Sequence, residues 1–306
     1  MSSGWSRLAR VVGTVAGVIL GAVLLSSAAL KALDPHGFAE QIERLGLAHG
    51  SLALLLAVGV VALEAALGLA LLVNLRRPAV LVLATCLMLA FLGLLGWEYL
   101  HPAEDASSCG CFGNLVQRTP GEALAEDVVF LALALLAWIG RPTSVGRLRW
   151  AAPVLGVLAG TGLAVAAPRL PVDDWATTLK PGARVADLKL DETVPETQSG
   201  TQLVLLLDRA DERTRADVAR VNEHLALPGG PVGVYGVAED NKDLEVEFQW
   251  TAAPAFEVRA VPYAVLKPLY RTLPRAFVSR DGRVVRVWNE IPDDAALKSL
   301  AEGVVP

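Results

Sequence analysis

Residues 51–74 read SLALLLAVGVVALEAALGLALLVN, an almost uninterrupted apolar run whose only ionisable side chain is Glu64. A helix needs about 20 mainly apolar residues to cross a bilayer, so this run is long enough to span a membrane. A carboxylate inside a membrane is costly and normally faces the interior of a helical bundle. Glu64 is therefore a candidate proton relay, or alternatively a protonated side chain that satisfies a neighbouring helix. No intramembrane Lys or Arg is expected to pair with it.

Other apolar runs flank this one on both sides. The composition agrees with a membrane half, because 53% of all residues are hydrophobic and only 19% are charged, against about 25% charged residues in a typical soluble domain. We predict five spans within a transmembrane domain at 1–169 and an ordinary acidic α/β domain at 170–306. The four further runs lie at 9–30, 78–99, 121–140 and 150–167.

The first run has two interpretations. Gly13, Gly17 and Gly21 recur every four residues, which favours a retained helix packed closely against its neighbours. A cleaved signal peptide is the alternative, since a basic start and an apolar stretch precede small residues at 26–28.

Basic residues predict the orientation of the bundle. Three connections carry Lys or Arg without any Asp or Glu, and such connections face the cytoplasm. We therefore expect a cytoplasmic N-terminus, outward-facing loops at 31–50 and 100–120, and an extracytoplasmic C-terminal domain, with the protein integral to the bacterial inner (cell) membrane. The formal charge of −5 argues against a nucleic-acid partner. The basic residues are Arg7, Arg10, Arg76, Arg77, Arg141, Arg147 and Arg149.

The outer loop after the third span carries a pair of cysteines. Residues 107–114 read SSCGCFGN, in which Gly110 lets the backbone turn tightly between Cys109 and Cys111. A disulfide closing so small a ring is strained, and strain favours exchange over permanent stapling. The extracytoplasmic side is also the oxidising side. These cysteines are therefore candidate catalytic residues for thiol–disulfide exchange.

Two alternatives remain open for this loop. The pair could form a structural disulfide in a non-enzymatic assembly factor, or it could belong to a metal or small-molecule carrier. Cys86 is predicted about 18 Å below the outer end of its helix at 1.5 Å per residue, and is interpreted as a small core residue. The sequence predicts no cofactor and no resident metal. The potential metal ligands on the outer side are His36, His101, Glu104 and Asp105.

Three segments together resemble the MauE/DoxX family of redox-associated membrane proteins. They are residues 31–38 (KALDPHGF), the Glu64-to-Gly68 pattern, and residues 109–113 (CGCFG). The resemblance covers about residues 10–140 and implies a four-helix bundle, with the fifth run as a tethering span. It also implies help with disulfide formation or maturation of an extracytoplasmic client, as in methylamine dehydrogenase maturation, alongside a thioredoxin-like partner.

The C-terminal half alternates between strand and helix patterns. Strands are predicted at 202–207, 231–237, 275–279 and 283–288, and helices at 212–225, 241–249 and 292–300. Asp281-Gly282 is a strong hairpin signal between the last two strands. This order is typical of an α/β sheet covered by helices.

That order is similar to the thioredoxin fold, especially its membrane-anchored TlpA-type relatives. The resemblance places Pro274, within Leu273-Pro274-Arg275, at the family's cis-proline, where it is a candidate client-docking residue. Residues 211–214 (DERT) fall where the family has Cys-x-x-Cys, and no cysteine follows Cys111. This domain is therefore predicted to hold a partner or client rather than to oxidise it.

Overall fold

The computed structural model describes residues 2–101, 120–140, 142, 146–225 and 230–306. The chain divides into two compact units, Met1–Val172 and Asp173–Pro306. The first unit is helical. Its helices are α1 (Ser2–Leu33), α2 (Pro35–Arg44), α3 (Ser51–Leu72), α4 (Pro78–Leu100), α5 (Pro120–Leu136) and α6 (Ala151–Ala166).

Within the described residues, four helices are long and apolar enough to cross a membrane: Trp5–Leu33, Ser51–Leu72, Pro78–Leu100 and Arg147–Arg169. These four helices indicate an integral membrane protein, and they match four of the five predicted runs. The remaining run, 121–140, contributes the 17 residues of α5, which are about 26 Å long at 1.5 Å per residue. That length is a little short of the roughly 30 Å hydrocarbon core, because the helix ends in a turn before Gly140.

Small residues bring the helices into close contact, as the Gly13, Gly17 and Gly21 pattern predicted. A methyl group placed on Gly21 would lie 2.8 Å from the carbonyl oxygen of Gly68, so α1 and α3 pack backbone against backbone. α6 packs closely against α3 in the same way. A methyl group on Gly156 would lie 2.5 Å from the carbonyl oxygen of Ala65. Such contacts replace the hydrophobic effect, which does not drive association inside a bilayer.

Arg76 holds together the end of the bundle where α3 connects to α4. Its guanidinium donates hydrogen bonds to the carbonyl oxygens of Ala137 and Ile139, at 3.0 and 2.9 Å, and to the Thr14 hydroxyl at 3.0 Å. Its Nε donates to the Asn74 side chain at 2.7 Å. Arg76 is almost completely buried, and it satisfies carbonyl groups that the last turn of α5 leaves without helical partners.

The second unit is built around a mixed five-stranded sheet. Its order is β3-β2-β1-β4-β5, with β1, β2 and β3 parallel and with β4 and β5 antiparallel to their neighbours. The strands are β1 (Thr201–Leu207), β2 (Gly233–Glu239), β3 (Glu257–Val261), β4 (Arg275–Arg280) and β5 (Arg283–Trp288). The helices are α7 (Asp173–Ala176), α8 (Glu212–Leu225), α9 (Lys242–Ala252), α10 (Tyr263–Leu266) and α11 (Asp294–Ala301).

Two hydrophobic layers cover the two faces of the sheet. Leu203, Leu205 and Leu207 of β1 pack against α8, α9 and α11. Val204 and Leu206 face the opposite layer, which is formed by segments around 179–194 and 266–270. Successive side chains of a strand point to opposite faces, so the continuous apolar run of β1 belongs to a central strand buried on both sides.

The predicted elements of this unit are present, α8 and β5 with their predicted bounds and the others with ends shifted by up to three residues, and one strand was missed. β3 lies at the edge of the sheet and exposes Glu257, so it lacks the apolar run that marks a buried strand. The Leu273–Pro274 peptide bond is cis, as the thioredoxin resemblance implied, and it directly precedes β4.

Candidate functional site

The structure describes some of the predicted site residues and not others. Cys109 and Cys111 lie outside the described residues, in the connection from α4 to α5. Cys86 is described and lies on the exposed surface of α4, so its interpretation as a core residue was wrong. A helix buries only part of its circumference, and residue 86 falls on the part that faces away from the bundle. Glu64 is completely buried within α3.

Glu64 forms an ion pair with Lys31 in the interior of the bundle. The Lys31 Nζ donates a hydrogen bond of 2.6 Å to Glu64 Oε1, and the two side chains are 3% and 0% exposed. The Ser27 hydroxyl lies 3.2 and 3.1 Å from the two carboxylate oxygens and donates to the carboxylate from one turn earlier in α1. The expectation that Glu64 has no intramembrane basic partner was therefore wrong.

Lys31 can pair with Glu64 because α1 extends further than predicted. The predicted outer loop begins at residue 31, but α1 continues to Leu33, so Lys31 lies in its last helical turn. Asp34 then caps α2 by accepting a 2.9 Å hydrogen bond from the Gly37 amide, with Pro35 at the first helical position. Asp and Pro at these two positions are a strong helix-start signal. The segment 31–38 therefore encodes a helix end, a cap and a new helix.

Two aromatic rings also lie close to the Lys31 ammonium. Its Nζ lies 4.4 Å from the centre of the Phe91 ring and 5.1 Å from that of Phe38. Ring faces attract cations, and the attraction is largest where water is excluded. The ammonium is thus held by a carboxylate, by a π-face from α4 and by a second ring from α2.

A second carboxylate lies near this ion pair. Asp127 of α5 is buried, and its charge acts electrostatically on Glu64. Five helices thus bring ionisable or aromatic groups to one buried cluster, which we call the Lys31 cluster. It consists of Ser27, Lys31, Phe38, Glu64, Phe91 and Asp127. Intramembrane ionisable groups are rare and mark functional sites by default, and sequence reasoning found only Glu64 among them.

The potential metal ligands of the sequence are not brought together as far as the structure describes them. His36 lies on α2, and His101 follows α4 and stacks on Trp97 with ring centres 4.0 Å apart. The described residues contain no group of three or more His, Cys, Asp and Glu side chains that could hold a metal. Glu104 and Asp105 lie outside the described residues.

In the second unit, strand register brings Pro274 and residues 211–214 to the same end of the sheet. Leu206 near the end of β1 pairs with Arg275 at the start of β4. Pro274 therefore lies beside the connection from β1 to α8, which ends at Asp211, and Arg213 lies in the first turn of α8. The Arg213 guanidinium hydrogen-bonds the Asp211 carboxylate at 2.8 Å and lowers the pKa of that carboxyl group. The residues at 211–214 thus form a local ion pair and helix start.

Arg275 directly follows Pro274 and is buried. It connects this end of the sheet to the first residues of the unit through hydrogen bonds. Its guanidinium donates to the Leu269 carbonyl oxygen at 2.6 Å, to the Thr177 hydroxyl at 2.9 Å and to the Asn289 side chain at 3.0 Å. Burial lowers the pKa of Arg275. These bonds hold the segment before β1 against the sheet next to Pro274.

Comparison with known proteins assigns part of the chain. Residues 9–140 match the family model described as "Methylamine utilisation protein MauE", which agrees with the MauE part of the predicted resemblance at about 10–140. No curated protein and no solved structure matches the chain. The Lys31 cluster lies entirely within the matched segment.

Proposed function

We propose that this chain, whose residues 9–140 form a MauE family domain, is a membrane thiol–disulfide redox protein. Cys109 and Cys111 would exchange disulfides with an extracytoplasmic client or with a thioredoxin-like partner, and so assist maturation of that client. The proposal rests on one observation: two cysteines separated by a single glycine lie within the matched segment, between α4 and α5. The family description favours a client that serves methylamine utilisation.

The architecture of the first unit supports this proposal. The connection that carries the cysteines leaves α4 at Leu100 and enters α5 at Pro120. Lys31 in the last turn of α1 and Phe91 in the second half of α4 meet toward this end of the bundle. The connection that carries the cysteine pair therefore leaves the bundle at the same end as the last turn of α1, which contains Lys31. Thiol oxidation releases protons, and Glu64 is our candidate to relay them.

The second unit supports a holding role. It contains a mixed five-stranded sheet with three parallel strands and an antiparallel hairpin, and we propose that this sheet is a variant of the thioredoxin fold. Pro274 is partly exposed beside the connection that carries Asp211. We propose that this end of the sheet in the cysteine-free domain holds an extended segment of the client whose thiols exchange with the cysteine pair.

Thiol trapping in intact bacterial cells tests the proposal. An impermeant maleimide should label Cys109 and Cys111 in a Cys86→Ser background, and a Cys111→Ser variant should accumulate mixed disulfides with a client. Cys86→Ser alone is the matched control, and it should leave client maturation unchanged. The proposal is wrong if the pair stays reduced under all conditions and a Cys109→Ser/Cys111→Ser variant still matures its client normally.

A non-enzymatic assembly factor is the second candidate. It is favoured by the 134-residue unit Asp173–Pro306, which contains no cysteine. On this hypothesis Cys109→Ser leaves client maturation intact, whereas deleting residues 173–306 abolishes it. The thiol–disulfide hypothesis predicts that Cys109→Ser itself abolishes maturation.

A further inference from the structure

A cavity of about 240 Å³ lies beside the Lys31 cluster. Side chains from α1, α2, α3 and α4 form its walls, and most of them are apolar. Three of the lining side chains are polar, namely those of Lys31, Gln41 and Glu98. The full lining consists of Lys31, Phe38, Gln41, Ile42, Leu45, Leu47, Leu56, Val60, Phe91, Leu94, Leu95 and Glu98.

The volume of the cavity limits the size of its ligand. A cavity of about 150 Å³ lined by aliphatic and aromatic side chains stays dry and binds benzene. Pockets for drug-sized molecules have volumes of about 300–1,000 Å³. The cavity of about 240 Å³ is therefore large enough for one substituted six-membered ring.

The cavity opens at its rim toward the surface of the bundle. Leu56 and Leu47 line it and are 42% and 52% exposed. Leu56 belongs to α3, which is one of the candidate membrane spans, so exposure at this position means contact with lipid. A ligand whose ring enters the cavity can therefore leave an apolar tail in the bilayer.

The inner wall offers a hydrogen-bond donor and two aromatic rings. The Lys31 ammonium has three N–H donors, and the Glu64 carboxylate accepts one of them at 2.6 Å. Phe91 and Phe38 place their rings 4.4 and 5.1 Å from the same Nζ. A flat ring that carries a carbonyl oxygen fits this arrangement, because the carbonyl can accept from Lys31 while the ring faces the phenyl groups. An acyl chain would use neither feature.

We propose that this cavity binds the ring of a lipid-soluble quinone, an inference that rests on the proposed thiol–disulfide function for its physiological role. Oxidation of the Cys109–Cys111 dithiol to a disulfide releases two electrons and two protons. A quinone takes up two electrons and two protons to become a quinol, so dithiol plus quinone gives disulfide plus quinol in balance. On this proposal the quinone is the electron acceptor that reoxidises the cysteine pair.

Binding of duroquinone to the full-length protein in lipid nanodiscs tests the site. Duroquinone is a fully methylated benzoquinone that thiols cannot add to, and equilibrium dialysis against empty nanodiscs corrects for partitioning into lipid. We expect saturable binding, with the Kd raised at least tenfold by Leu56→Trp, which fills the cavity mouth. Leu55→Trp is the matched control, because Leu55 is the adjacent residue of α3, is exposed and does not line the cavity. Its Kd should stay within twofold of wild type.

Durene, the tetramethylbenzene of the same shape without carbonyl oxygens, distinguishes a quinone site from a general apolar site. We expect durene to compete at least tenfold more weakly than duroquinone. Equal competition by durene, absence of saturable binding, or equal affinity of the Leu56→Trp and Leu55→Trp variants would overturn the inference.

The same measurement separates this inference from the proposed function. A Cys109→Ser/Cys111→Ser variant should bind duroquinone with wild-type Kd, because the cavity contains neither cysteine. Selective, Leu56-dependent binding together with a negative thiol-trapping result would support the site and refute thiol–disulfide exchange. Positive trapping without duroquinone binding would support the exchange and refute the quinone site.

Discussion

Neutralising the Lys31–Glu64 ion pair one partner at a time should destabilise the bundle far more than neutralising both partners together. The two side chains are 3% and 0% exposed and are joined at 2.6 Å. Glu64→Gln leaves a buried ammonium without its carboxylate, and Lys31→Met leaves a buried carboxylate without its ammonium. Breaking a buried pair in this way costs about 3–5 kcal/mol, whereas replacing both partners by neutral residues is often nearly neutral. We expect a coupling energy of at least about 3 kcal/mol.

Unfolding of the purified protein by SDS in mixed micelles, followed by circular dichroism, measures the free energy of unfolding of each variant. Ser27→Ala and Ser26→Ala form a matched control pair. Ser27 donates to the buried Glu64 carboxylate, whereas Ser26 donates only to the Ala22 carbonyl oxygen on the exposed side of α1. Ser27→Ala should therefore be destabilising by about 1.5–3 kcal/mol, and Ser26→Ala by much less. If the Lys31→Met and Glu64→Gln effects simply add in the double variant, the two charges do not stabilise each other and the reasoning fails.

Three further predictions concern packing, capping and pH. Gly156→Ala should destabilise the bundle by about 1–3 kcal/mol, because its methyl group would meet the α3 backbone. Gly162→Ala in the same helix meets nothing and should not destabilise; equal SDS midpoints for these two variants would contradict the close packing. Arg76→Ala should cost at least about 3 kcal/mol in the same assay, because it leaves buried carbonyl groups without donors, and an unchanged midpoint would contradict this. Hydrogen bonds from Arg259 lower the pKa of Glu196 below its usual 4.5, so the stability lost in Glu196→Gln should be present at neutral pH and disappear as pH falls through the folded pKa. Melting temperatures of both proteins across pH 3–7, followed by near-ultraviolet circular dichroism, check this sign, and a difference that grows toward acid would refute it.

Periodicity and residue chemistry predicted most of the fold. Long apolar runs identified four membrane-crossing helices, and glycines every four residues in α1 predicted its close packing. In the second unit, the Asp281-Gly282 hairpin and the α8 boundaries at Glu212 and Leu225 are as predicted. These features are local, because they depend on residues close together along the chain. β3 escaped prediction because an edge strand with an exposed Glu257 has no run of apolar residues.

The candidate site was harder to predict than the fold. Glu64 was identified because a carboxylate inside an apolar run is conspicuous in the sequence. Lys31 was assigned to a loop because it follows the apolar run of α1, and long basic side chains near a helix end ordinarily reach the membrane surface. Asp34-Pro35, immediately downstream, was the available signal that α1 continues past Lys31 and that a second helix begins. Phe91 gave no such signal, because a phenylalanine in an apolar helix resembles any lipid-facing residue.

The sequence by itself determined the long apolar helices, the cysteine pair between α4 and α5, the cysteine-free α/β unit and the similarity of residues 9–140 to MauE, because each of these is encoded in neighbouring residues or in composition. Only the tertiary structure decided that Lys31 pairs with Glu64, that rings from α2 and α4 enclose the ammonium, and that a cavity lies beside them. These residues are distant along the chain and meet only when the helices pack. The register of that packing is set by many small-residue contacts at once, so no single segment contains it.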